Sequence, residues 1–280
     1  MKKIEYAINH LNDLNGIIIC PYCKEDLFIR ENSLVCINNH TFNISKKGSV
    51  VLYKTSKLKK DKIYNTELFN NRRNFINSGF YNEVHSKISE IINENKPNII
   101  LDMGSGEGTH DIKIIDNLKD KNIKVIGLDL SKEGIDLSND FIEKNYIGIV
   151  GDLNQLPIKN KTVDLIINFL SPSNESEMAR VLKKDGIIIK VTPKVEYLYE
   201  LRESLKIKSY ENEDIIENNI KNKYDILKKY EIVNTYSLDK LLLNYLVKMT
   251  PLMNNINIIP DIKTITIALN LYVLRIKDGR

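Results

Sequence analysis

Between residues 97 and 192 five short apolar runs alternate with segments of helical period, and this alternation limits the fold more than any other feature. The runs cover residues 98–102, Lys124–Asp129, 147–152, Val163–Phe169 and 187–192. Residues 131–144 and 173–182 between them carry the spacing of amphipathic helices. Near-continuous apolar runs of strand length are buried on both faces of a sheet, and helix-length crossovers pair them in parallel. The sequence therefore predicts an α/β fold with a doubly wound, mostly parallel sheet. Residues 264–276 read as a late strand, 64–95 as helix broken near Ser78 and Gly79, and 208–235 as a polar helical or loop insertion. Ile4, Ala7, Ile8 and Leu11 give residues 1–19 an amphipathic helical lead.

The first run ends in Leu101-Asp102-Met103-Gly104-Ser105-Gly106-Glu107-Gly108-Thr109, a D-x-G-x-G-x-G turn. A dinucleotide fingerprint would require glycine at position 109. Glycines here let the backbone turn and approach a ligand closely, and the Asp102 carboxylate suits an amino group better than a pyrophosphate. The second run ends in Asp129, about 20 residues past the glycines, where an acid holds ribose hydroxyls in nucleotide-binding α/β folds. Asp152 closes the third run, placed to accept from an adenine amine, and Asn168 lies at the end of the fourth. Any one of these is explained by the preference of Asp and Asn for turns. The ordered series points to S-adenosylmethionine.

All the cysteines lie near the N-terminus, in the spacing Cys20-x2-Cys23-x12-Cys36-x3-His40. Three thiols and one imidazole are the ligands of a closed tetrahedral zinc site, one ion per chain, which holds a fold and has no open position for water. The runs at residues 27–29 and 50–52 read as the β scaffold around it.

Lys46, Lys47, Lys54, Lys57, Lys59, Lys60 and Lys62 against Asp61 give a local excess of +6, above the +4 of the whole chain. Such a stretch is either a solvated linker or a phosphate-binding segment. No apolar run approaches the ~20 residues of a membrane span, and residues 1–20 lack the apolar core of a signal peptide. The expected setting is cytoplasmic, with no membrane partner. The expected division is a lead and zinc module over 1–53, a basic linker and helical segment over 54–95, and the cofactor-binding domain over 96–280.

These residues resemble the bacterial 23S ribosomal RNA guanine-N1-methyltransferases. The likeness is carried by the zinc spacing followed by Phe42-Asn43, by Gly48-Ser49-Val50, and by Arg72-Arg73-Asn74-Phe75 through Gly79 and Tyr81. The glycine loop, the acid series, Val191-Thr192-Pro193 and Met249-Thr250-Pro251 follow in order. The resemblance implies a seven-stranded class I methyltransferase sheet and a homodimer gripping a hairpin of 23S rRNA. It also implies cofactor contacts from Tyr81, Gly106, Glu107 and Asp129, beside Asp102, Gly104 and Asp152. Two positions depart from it. Tyr197-Leu198 stands where the family has His-Leu, so Tyr197 takes that cofactor position, and Ser171-Pro172 stands where it has Ala-Pro. Ser173-Asn174 is closer to the branch linked with macrolide resistance.

The implied chemistry is in-line methyl transfer, to which the protein contributes proximity and orientation. Guanine N1 must lose a proton, and by position Asn168 and Ser171 are the candidates beside it. Two other readings compete: a small-molecule methyltransferase whose zinc is purely structural, and an inactive RNA-binding protein, which the intact acid series argues against.

Overall fold

The computed structural model describes residues 1–54, 64–207, 213–250 and 259–277. Helix α1 (Lys3–Asp13) buries Ala7 and Leu11, as its apolar spacing requires. Strands β1 (Leu27–Arg30), β2 (Ser33–Cys36) and β3 (Thr41–Asn43) form a small antiparallel sheet. The two-residue β4 (Val50–Val51) does not join it; β4 pairs in parallel with the large sheet. Helices α2 (Thr66–Asn77) and α3 (Asn82–Asn95) follow, with the break where Ser78 and Gly79 predict it.

The α/β region then runs β5 (Ile99–Met103), α4 (Thr109–Asp116), β6 (Lys124–Asp129), α5 (Lys132–Ser138), β7 (Tyr146–Val150), β8 (Val163–Phe169), α6 (Glu175–Val181) and β9 (Leu182–Pro193). It ends with α7 (Tyr199–Ser204), α8 (Glu213–Lys223), β10 (Tyr224–Ser237), α9 (Lys240–Met249) and β11 (Thr264–Ile276). The strand order is β10-β11-β9-β8-β5-β6-β7-β4, parallel except at β11, which is antiparallel to both β9 and β10. From β5 the chain winds outward through β6 and β7. It then returns to β8 and winds the other way, so the strand order switches between β5 and β8. Ligands bind beyond the carboxyl ends of strands at such a switch.

Alternate residues of the buried strands feed opposite faces. Ile100 and Leu165 pack with Phe75, Ile88, Ile92 and Ile112 on one side. Leu101 and Ile166 pack on the other with Leu11, Leu27, Leu34 and Phe42, so α1 and the small sheet share an apolar core with the large one.

Four expectations need correction. The large sheet has eight strands, because β4 extends the expected seven. Residues 50–52 accordingly belong to that edge and not to the metal scaffold. Residues 224–235 form most of β10, not a helical or loop insertion; 208–212 lie outside the described residues. β10 is an edge strand that buries only Tyr224 and Ile232, so no apolar run marks it. Its Lys228 and Lys229 pair with Glu94 and Glu217, and charges of this kind discourage further strand pairing. The helix expected over 131–144 is also shorter. The Asn139 side chain bonds the backbone of Gly148, and the chain leaves α5 through a 3-10 turn.

Candidate functional site

Two turns of the small sheet bring Cys20, Cys23, Cys36 and His40 together, with all four ligand atoms within 4.8 Å of one another. Cys20 and Cys23 flank a turn in which the Lys24 amide donates to the Cys20 carbonyl. Cys36 ends β2, and its amide donates to the His40 carbonyl. The Cys23 and Cys36 sulfurs are 3.6 Å apart, and His40 Nδ1 lies 3.5 Å from Cys20 Sγ and 3.3 Å from Cys36 Sγ. A tetrahedron with ordinary Zn–S and Zn–N bonds has edges of about 3.8 and 3.6 Å. The donor set therefore fits zinc and leaves no fifth position. Tyr22 stacks on His40 at 5.1 Å, which fixes the imidazole plane.

At the other end of the core the acid series gathers along the carboxyl ends of β5, β6, β7 and β8. Asp102, on β5, is 3% exposed, and its Oδ1 has no hydrogen-bond partner among the described residues. Burial pushes its carboxyl up to about 7. Burial likewise holds Asp111 of α4 well above the carboxylate range, and the charge of Asp102 raises it further. Gly104 and Gly106 both have positive φ, at 90° and 58°. A Cβ on Gly104 would stand 2.6 Å from the Ser171 Cβ, so glycine is required for this loop to meet the loop after β8. Asp129 ends β6; its Oδ2 accepts from the Gly106 amide at 2.9 Å and its Oδ1 from Ser131 at 2.8 Å. Burial raises it, offset by those amides and by Arg72. Asp152 follows β7 and accepts through Oδ1 from the Asn154 amide at 2.8 Å. Glu107 turns inward at 1% exposure and accepts from the Thr109 amide and hydroxyl, capping α4. The buried Tyr81 at the start of α3 and Tyr197 after β9 meet through their hydroxyls at 2.8 Å.

Asn168 and Ser171 are held in a tight network. The Asn168 amide donates toward the Met103 carbonyl, the Pro172 carbonyl and Ser171 Oγ; Ser171 Oγ in turn donates to Met103. Asn168 Oδ1 accepts from Lys190 Nζ at 2.6 Å. The polar atoms of Asn168 are thus used in shaping the 168–172 loop. Lys190, lowered by burial to about 8, escapes a reading by motif, although a lysine inside the apolar run at 187–192 is a visible signal. A second unforeseen group is His85 with His110, 2.8 Å apart across α3 and α4. His110 stacks on Phe169 at 4.1 Å and meets Tyr81 edge-on at 5.0 Å. Burial lowers both imidazoles, His85 to about 3, so the pair is neutral. Nothing in the local sequence joins positions 85 and 110. Lys57, Lys59, Lys60 and Lys62 lie outside the described residues, and Lys47 pairs with Asp136 at 3.5 Å.

This sheet order, with a glycine loop after the first central strand and acids ending the next, defines a class I S-adenosylmethionine-dependent methyltransferase. The unpartnered buried Asp102 oxygen and the close-approach glycines fit that cofactor, as the Cys3His set fits structural zinc. The family model described as a methyltransferase domain matches residues 94–245, and that described as RlmA, N-terminal, a zinc ribbon, matches 18–57. The Bacillus subtilis (strain 168) protein YxjB is 31% identical over 91% of this chain and 95% of its own; its name assigns it provisionally as a 23S rRNA (guanine-N(1)-)-methyltransferase. The Streptomyces fradiae 23S rRNA (guanine(748)-N(1))-methyltransferase is 25% identical over 66% of each chain. One chain of the Haloferax volcanii complex between the Trm112 methyltransferase activator and a methyltransferase shares the fold, at TM-score 0.50 and 15% identity over 78% of this chain and 100% of that one. The chain belongs to the 23S rRNA (guanine-N1)-methyltransferase family.

Proposed function

We propose that this protein transfers the methyl group of S-adenosylmethionine to N1 of a guanine in a hairpin loop of 23S ribosomal RNA. The observation that carries the reading is the likeness to YxjB over 91% of the chain, across both the zinc module and the catalytic sheet. No helix among the described residues is long and apolar enough to cross a membrane. A cytoplasmic setting, a homodimer and the division at about residues 53 and 95 belong to the same reading.

The cofactor supplies a methyl group activated on a sulfonium. Asp102 takes the methionine ammonium through its unpartnered oxygen, and Gly104 and Gly106 let the loop backbone close on the ligand. Asp129 accepts from the ribose hydroxyls and Asp152 from the adenine amine. Glu107 braces the loop through Thr109, and the Tyr81–Tyr197 pair walls the methionine end. Asn168 and Ser171 hold the loop against which the base must lie. The base must be unstacked to reach the methyl group, which is least costly in an RNA loop.

The test is to incubate pure enzyme with methyl-labelled cofactor and unmodified 23S fragments, then digest to nucleosides. Label in 1-methylguanosine from one hairpin is the expected result. Label in no RNA, with transfer to a small metabolite, would establish the small-molecule alternative.

A further inference from the structure

The two adjacent arginines of α2 do different work. Arg73 is committed to the fold. It donates to Asp140 at 2.9 Å and to the Leu137 carbonyl at 2.8 Å, and its guanidinium lies over the Phe141 ring at 4.8 Å. Arg72 is not. Among the described residues its only direct contact of this kind is with the face of Phe69, 5.5 Å from the ring centre, and it has neither a hydrogen bond nor an ion pair. Phe69 is itself 1% exposed and packs beside the glycine loop, for a Cβ on Gly106 would lie 3.5 Å from its Cε1. This clamps Arg72 against the loop. Its Nη1 stands 3.4 Å from where a Cβ on Gly106 would be. Its charge partly offsets the effect of burial on Glu107 and Asp129, the acids flanking that loop.

The cofactor carries a sulfonium, an ammonium and a carboxylate. Asp102 and Asp129 suit the ammonium and the ribose, but a carboxylate entering among these acids is repelled unless a cation stands beside it. The cations that act most strongly on the loop acids are Arg72 and, for Glu107, Arg73, and Arg73 is already engaged. A guanidinium presents a planar fork of donors that matches a carboxylate in two parallel bonds. We propose that Arg72 is the receptor for the carboxylate of the cofactor's methionine moiety, a binding role distinct from the phosphate grip that its place in an arginine pair suggests. The inference rests on the cofactor reading of this site.

Calorimetry with two probes separates the possibilities. S-adenosylhomocysteine carries the carboxylate; 5′-methylthioadenosine has the same adenosine and sulfur without the amino-acid part. Arg72→Ala should weaken S-adenosylhomocysteine by about ten- to a hundredfold, the loss of a charge-assisted bidentate contact. It should leave 5′-methylthioadenosine unchanged, and that binding also reports an intact fold. Arg72→Lys, which keeps the charge without the fork, should fall between. Equal S-adenosylhomocysteine affinity in wild type and Arg72→Ala overturns the proposal, and a flatter salt dependence of RNA binding in that variant would assign Arg72 to a phosphate. Equal losses for both probes also overturn it, making Arg72 a support of the loop. Failure of the wild type to bind S-adenosylhomocysteine would instead remove the cofactor reading itself.

Discussion

The metal module and the cofactor end both announce themselves as short motifs, yet they are specified differently. The metal ligands lie within residues 20–40 and come from two turns of one small sheet, so local geometry alone brings them together. The acid series of the proposed cofactor end runs from Asp102 to Asn168, and the strand order β8-β5-β6-β7 makes those residues neighbours. A local site carries its own geometry, whereas a distributed one inherits it from the whole sheet. Damage to the first should stay local, and damage within the second should alter binding without altering the fold.

Metal removal should have the largest effect. Structural zinc stabilises small metal-folded peptides by roughly 10–16 kcal/mol, so Cys36→Ser or chelation should disorder the module. Elemental analysis should show the zinc lost, and hydrogen exchange should show residues 27–43 losing protection while β5–β8 keep theirs. Leu27, Leu34 and Phe42 share a core with Leu101 and Ile126, so the sheet should melt at a lower temperature yet remain folded. Simultaneous loss of protection in both regions would show that the module is not a separable unit.

A smaller effect, on binding alone, is expected at Asp129. Removing an ionised acceptor costs about 1.5–3 kcal/mol, so Asp129→Ala should weaken S-adenosylhomocysteine by roughly ten- to a hundredfold. Zinc content should stay at one per chain. Calorimetry giving equal affinity for variant and wild type would take Asp129 out of the site.

The mildest effect is one of pH. Asp102, raised to about 7 by burial and further by the charge of Asp129, would have to lose its proton to meet the ammonium of the proposed cofactor. Cofactor affinity should therefore fall from pH 8 to pH 6, by up to about tenfold per pH unit below 7. The cofactor-free protein should respond with the opposite sign. The stability that Asp102 contributes is full below about 4, its unfolded range, and is lost as pH rises through about 7. Calorimetry across this range, with Asp102→Asn as the control that abolishes the dependence, checks both signs. A flat affinity profile would mean that Asp102 does not exchange its proton for the ligand.

Features with a local cause were legible in the sequence. Burial on both faces makes β5 to β9 near-continuous apolar runs, and metal spacing shows the four ligands. Features set by neighbours in space were not. β10 has a polar sequence because only β11 pairs with it. β4 is two residues long and gains its place from β7 alone. Arg72 and Arg73 are adjacent in sequence, but one helical position separates a residue clamped to the glycine loop from one tied to Asp140. The network around Asn168 likewise depends on Met103 and Lys190, which reach it from the flanking strands β5 and β9.

We propose that this assembled site methylates guanine N1 in 23S rRNA. Mass mapping of ribosomal RNA from cells with and without the gene tests it most directly. One 1-methylguanosine, in a single hairpin loop of 23S rRNA, should disappear without the gene. Wild type should restore it and Asp129→Ala should not. An unchanged 23S methylation pattern, with the pure enzyme methylating a small metabolite, would contradict it.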